Sequence, residues 1–227
     1  MEPVEETCWT LIRAAADGDA SARADFTRRY LPVARAFFGA RWGTSLLASE
    51  LDDAVQEAFL DCFRSDGALH RADPERSEGF RAFFFGVLRY TALHFERRKG
   101  RELEKKGTGS FHPELLPADE ESVSRVLDKA WARALVREAG ELQARRARSR
   151  GPEAARRVEL LQLRFHEGLP IREIARLWNE DAAKLHHEYA TARQEFLAAL
   201  SEVVGVQEGI SRERLEAECK RLLALFG

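Results

Sequence analysis

The sequence predicts an all-α protein of two helical domains joined by a linker, the second containing a helix-turn-helix. Three observations lead there. Apolar residues recur at helical spacing in almost every periodic stretch, and no sustained alternation of apolar and polar residues marks a strand. Near the middle, residues 100–120 hold three Gly, two Pro and mixed charge, the composition of a linker. The length of 227 residues suits one large or two small domains, and 44 % apolar residues suffice for real cores.

In chain order, residues 5–99 read as about four helices. One apolar stripe is Phe26, Tyr30, Ala34, Phe37 and Phe38; another is Leu51, Val55, Ala58, Phe59 and Cys62. The longest runs Phe80, Phe84, Val87, Leu88, Thr91 and Phe95, then passes into Arg97-Arg98-Lys99-Gly100-Arg101. Breaks are expected at Asp17-Gly18-Asp19, across Gly39 to Gly43, and at Asp66-Gly67 and Asp73-Pro74.

A second domain is expected over 121–204, beginning with Val123, Val126, Leu127, Trp131, Leu135 and Val136. It resumes after Gly151-Pro152 with Val158, Leu161 and Phe165. Within it, Gly168 ends a helix and Pro170 stands where a helix start tolerates proline. Ile171, Ile174, Ala175 and Trp178 line one face of a short helix. Asn179-Glu180-Asp181 makes a tight turn in which Asn takes the left-handed conformation. A longer helix follows with Leu185, Tyr189, Ala192 and Phe196 inward, and with Lys184, His186, His187, Glu188 and Arg193 outward. Short helix, turn and long helix form the pattern that places a helix in the DNA major groove. An ordinary helical hairpin has the same pattern. In the tail, 205–227, Ser211 caps a short amphipathic helix bearing Leu215, Cys219, Leu222 and Phe226. Such a helix would cover its own domain or latch onto the first.

Charge is organised locally. Thirty-six Lys and Arg oppose 38 Asp and Glu, a formal net charge of −2, which argues against a protein that coats nucleic acid by bulk attraction. Residues 50–61 nevertheless hold five carboxylates and no Lys or Arg. Residues 89–106 hold seven Lys or Arg against three Glu, and 145–157 hold six Arg against one Glu. The acidic helix presents Asp52, Asp53, Gln56 and Glu57 away from its apolar stripe, with no base beside them in sequence. Taken alone it fits a solvated face, and the Arg-Lys run fits a complement to a helix dipole. Together, a carboxylate face for a protein partner and a basic, aromatic face for unpaired DNA form a more specific combination.

Other function classes find little support. The chain shows no Gly-rich phosphate loop, no metal-ligand cluster and no nucleophile with an evident base, so neither enzyme activity nor a cofactor is expected. His186 and His187 diverge by about 100° on a helix, a poor metal site. Cys8, Cys62 and Cys219 stand far apart without a CxxC, which suits a reducing cytoplasm. The acidic N-terminus lacks the apolar core of a signal peptide, and no stretch approaches the about 18 apolar residues of a membrane span. The expectation is a cytoplasmic protein without membrane insertion.

Two segments carry a family resemblance. ELDDAVQEAFLDCFR (50–64), with DPERSEGFRAFFFGVLRYTALHFERRKGR (73–101), resembles sigma region 2. LRFHEGLPIREIARLW (163–178) is similar to the start of sigma region 4. Their order, with a linker between, resembles the extracytoplasmic-function (group IV) sigma factors of RNA polymerase. That resemblance implies binding to RNA polymerase core, recognition of promoter DNA and a role in transcription initiation. An anti-sigma factor or another regulator would be a further partner. Asp52, Asp53, Gln56 and Glu57 match positions that dock on the polymerase largest subunit. The loop 66–79 with Arg89, Tyr90, His94, Arg97 and Arg98 matches the part that opens and holds the minus-ten element, and Lys99 beside them is expected to contact the DNA backbone there. Lys184, His186, His187 and Arg193 lie on the helix that matches the reader of the minus-thirty-five element. The chain departs from the family in Phe83 where Trp is usual, in Tyr90 for Asn and in His94 for Asp. Glu188 and Thr191 also stand where bases are frequent. The competing readings are a helix-turn-helix DNA-binding regulator that never meets polymerase, and a degenerate sigma acting as an interaction protein.

Overall fold

A computed structural model describes residues 8–73, 79–105, 118–208 and 219–220. The described residues are all-helical: α1 (Cys8–Ala16), α2 (Ala20–Trp42), α3 (Leu51–Phe63), α4 (Gly79–Lys105), α5 (Glu120–Arg150), α6 (Pro152–Phe165), α7 (Ile171–Trp178) and α8 (Ala182–Glu208). Two single 3-10 turns, Ala48–Glu50 and Leu69–Arg71, precede α3 and follow it. They fall into two compact units, one of residues up to Ala134 with 206–208, the other of Leu135–Gly205 with 219–220. The expected second domain began at 121; the division instead falls within α5, so 120–134 belong to the first unit.

The first unit is built on aromatic side chains. The predicted stripes of α2 and α4 are buried in full, Phe26 to Phe38 and Phe80 to Phe95; that of α3 is buried from Val55 onward, with Leu51 half-buried. Phe26 meets Phe59, Phe80 and Phe84 edge-on at about 6 Å between centroids. Tyr30 stacks on Trp131 of α5 at 5.4 Å, and Trp131 also touches Phe80. That burial explains why 120–134 join this unit, since one buried aromatic contributes about 2–3 kcal/mol. Polar locks fix the helices around this core. Asp19 caps α2 through Ala22 N–H at 2.7 Å. Arg23 donates to the carbonyls of Ala15 and Phe63, at 2.9 and 2.8 Å. Arg41, only 5 % exposed, donates twice to Glu96 at 2.7 and 3.1 Å, and Trp42 Nε1 donates to the same carboxylate at 2.9 Å.

Three sequence expectations change here. Gly39 does not break a helix: α2 runs through it to Trp42, its Cβ position meeting only Leu51 in ordinary contact. The Arg-Lys run lies inside α4, which continues to Lys105 rather than ending before it. The expected linker therefore begins in helix, and 106–117 lie outside the described residues. Asp119 then caps α5, accepting from Glu121 and Ser122 N–H at 3.0 Å each. A hydrogen bond with the Ser122 side chain, then those two N–H bonds, hold its carboxyl below the usual carboxylate range.

In the second unit Gly151, at φ 104°, ends α5 in a conformation open to glycine, and Pro152 starts α6. Leu160, Ile171, Ile174, Ala175 and Leu185 form the core joining α6, α7 and α8. Gln143 is buried and donates to the Ala192 carbonyl at 3.1 Å. Arg157 grips Glu195 with two bonds at 3.1 and 2.7 Å, which pushes the guanidinium pKa up. Phe165, expected inward, is 68 % exposed, because α6 ends there and its ring lies beside Tyr189. Of the expected tail helix only Cys219 and Lys220 are described. Cys219 is buried, with Sγ 3.8 Å from Ser201 Oγ on α8.

Candidate functional site

α3 forms because its apolar residues repeat at helical spacing, and burying that stripe turns the remaining positions outward. Asp52, Asp53, Gln56 and Glu57 are all exposed. Leu60, which the sequence reading passed over, is 54 % exposed and lies at i+7 from Asp53 and i+3 from Glu57, on the same side. The face is less purely anionic than expected, for Arg35 of α2 reaches Asp52 at 2.5 Å. A base 17 positions away leaves no local signature in the sequence.

α4 presents the second face. Tyr90 is 71 % exposed, with His94 and Arg97 exposed beside it. At 100° per residue, Arg97, Arg101 and His94 lie within about 40° of Tyr90 around the helix. Arg97 and Arg101 make no ion pair among the described residues. Arg89 and Arg98 lie on the two flanks, about 100° and 80° from Tyr90. Each flank is occupied: Arg89 meets Glu120 at 3.1 Å, and Arg98 meets Glu50 at 3.1 Å while lying over the Phe95 ring at 4.2 Å. Lys99 corrects the sequence reading. It lies about 180° from Tyr90, half-buried between Glu50 at 3.7 Å and Glu102 at 3.9 Å, and so is not part of this face. Of the loop 66–79, residues 74–78 lie outside the described residues. The rest is a tight turn in which Gly67 is packed so closely on the Asp61 carbonyl that no side chain fits.

In the second unit, α7 ends at Asn179 in the left-handed conformation, φ 52° and ψ 47°, as the sequence predicts. Asp181 then caps α8, accepting from Lys184 N–H at 2.9 Å. His186, His187 and Arg193 are exposed, Arg193 lying 5.9 Å from the Tyr189 centroid. Lys184 is exposed but shared between Glu180 at 3.3 Å and Glu188 at 4.0 Å. Glu188 is not outward as expected: Arg156 of α6 draws it in at 3.7 Å. Arg156 also pairs with Glu180 at 3.0 Å. Hydrogen bonds from Arg156 and then Lys184 hold the Glu180 carboxyl below the usual range. Arg172 and Arg176, one turn apart on the outer side of α7, are exposed and make no ion pair among the described residues.

Among the described residues, no group of three or more His, Cys, Asp or Glu could hold a metal ion, and no helix is long and apolar enough to cross a membrane. No family model matches the chain, and no curated protein matches it in sequence.

Proposed function

We propose that this chain is a sigma factor of the extracytoplasmic-function type, binding RNA polymerase core and directing it to promoter DNA in the cytoplasm. The observation that carries the reading is the pairing of two unlike surfaces within one unit. α3 offers Asp53, Gln56 and Glu57 around the exposed Leu60, an apolar centre ringed by carboxylates that suits a basic protein surface. α4 offers Tyr90 among His94, Arg97 and Arg101, an aromatic platform among cations that suits unpaired bases and their phosphates. In the second unit, the order short helix α7, Asn179 turn and long helix α8 supports reading this segment as a helix-turn-helix, the motif a minus-thirty-five role calls for. The direct test combines Asp53→Arg with Glu57→Arg and measures affinity for purified RNA polymerase core. Charge reversal at such a surface costs several kcal/mol, so core binding and promoter-directed transcription should both fall while helical content stays the same. Unchanged core affinity would remove the assignment.

One observation favours a second reading, a degenerate sigma acting as an interaction protein. Lys184, the cation nearest the start of α8, is neutralised by Glu180 and Glu188. Transcription from a genomic promoter library with core polymerase separates the two, since only a working sigma factor yields defined start sites.

A further inference from the structure

Glu50 and Glu120 have a common geometry that neither the α3 face nor the α4 face requires. Glu50 stands at the N-cap position of α3 yet makes no capping bond there; its carboxylate instead reaches Arg98 and Lys99 on α4. Glu120 opens α5 and reaches Arg89. Arg89 and Arg98 are the two arginines that flank the Tyr90 stripe, one on each side. The stripe's central cations, Arg97 and Arg101, carry no such carboxylate among the described residues. A carboxylate on a guanidinium occupies the donors that a phosphate would take, because both anions accept the same paired N–H bonds.

We propose that Glu50 and Glu120 are built-in competitors for nucleic-acid phosphate. They hold Arg98 and Arg89 while no strand is bound, so the face engages a strand through Arg97 and Arg101 first and gains its flanking contacts only by displacing them. The inference rests on the reading of α4 as the nucleic-acid face. It gives a physical reason for the free chain to bind polyanions weakly and for tight binding to await a partner that also supplies contacts. The flanking pairs are solvent-exposed to differing degrees, so each is weak enough to be exchanged.

The test is binding of a fluorescein-labelled single-stranded DNA oligonucleotide of mixed sequence, followed by anisotropy over a range of salt. Each arginine released to a phosphate should steepen the dependence of log affinity on log salt by about 0.7, the single-strand value. E50Q and E120Q should each show that change, and the double variant about 1.4, with affinity at low salt raised roughly tenfold. E159Q removes an exposed carboxylate that holds no described cation, and should leave the slope unchanged. E120Q lies at an exposed helix start, so it serves even if E50Q impairs folding. Arg97→Ala with Arg101→Ala tells the two ideas apart. If that pair weakens binding but E50Q and E120Q behave like E159Q, the competitor proposal is overturned and the α4 reading stands. If the arginine pair has no effect, α4 is not the nucleic-acid face and both fall.

Discussion

Arg156 lies over the indole of Trp178, its guanidinium carbon 4.7 Å from the ring centroid. One side chain on α6 thereby meets the last residue of α7, Glu180 in the turn and Glu188 on α8. Its Nε and Nη2 are buried without a hydrogen bond, so the cation is held by its ring contact and by charge as much as by directed bonds.

Arg156→Met keeps the stem packing and removes the charge. It should cost about 2 kcal/mol, combining a charged hydrogen bond with the ring contact. Arg156→Lys should recover part of this, since an ammonium reaches Glu180 but stacks less well. Urea unfolding with an unchanged m-value checks both. A loss below about 0.5 kcal/mol for Met would show that Arg156 does not hold the turn.

Glu180 makes the same contact dependent on pH. Its folded pKa is below the ordinary value, so its charged form is favoured by folding. The contribution is complete above the unfolded carboxylate range, near pH 4.3, and fades as pH falls through the lower folded value. Wild type should therefore exceed Glu180→Gln in stability at neutral pH, with the gap closing in acid. A gap that stays constant from neutral pH down to about pH 3 would exclude this role for the carboxylate.

The Arg41–Glu96 pair should behave unlike the surface pairs. Removing one partner of a buried, doubly bonded pair strands the other charge, at about 3–5 kcal/mol. Glu96→Leu also deprives Trp42 Nε1 of its acceptor. Asp25→Ala, which breaks an exposed pair with Arg28 at 2.8 Å, should cost under about 1 kcal/mol. Thermal or urea unfolding of the two variants side by side measures the difference.

Cys62 should be inert in the folded chain. Burial, reinforced by the neighbouring Asp61 charge and only partly offset by Arg71, pushes its thiol up to about 12. Little thiolate exists at mildly alkaline pH. Iodoacetamide labelling read by peptide mass spectrometry should leave Cys62 unmodified in native protein and modify it fully in urea. Rapid native labelling would mean that α3 opens locally.

The all-α class, the α2 and α4 stripes and the left-handed Asn179 were legible from sequence alone, and so was the outward set Asp52, Asp53, Gln56 and Glu57. Each depends on residues within about two helical turns of one another, where a fixed rise and rotation convert spacing into facing. Tertiary structure decided everything that joins distant positions. Arg41 meets Glu96 across 55 residues and Arg98 meets Glu50 across 48, at distances set by how α2, α3 and α4 cross. Lys99 lies on the side of α4 away from Tyr90, paired with Glu50 and Glu102, because consecutive helical residues point in different directions and a basic run is not one surface. Glu188 turned inward because Arg156, 32 residues earlier, offered a charge that outweighed its polar preference for water. Trp131 drew the first half of α5 into the first unit because the sequence could say that its ring would be buried, but not that Tyr30 would cover it. Periodicity specifies which side of a helix is apolar; only packing specifies what that side meets.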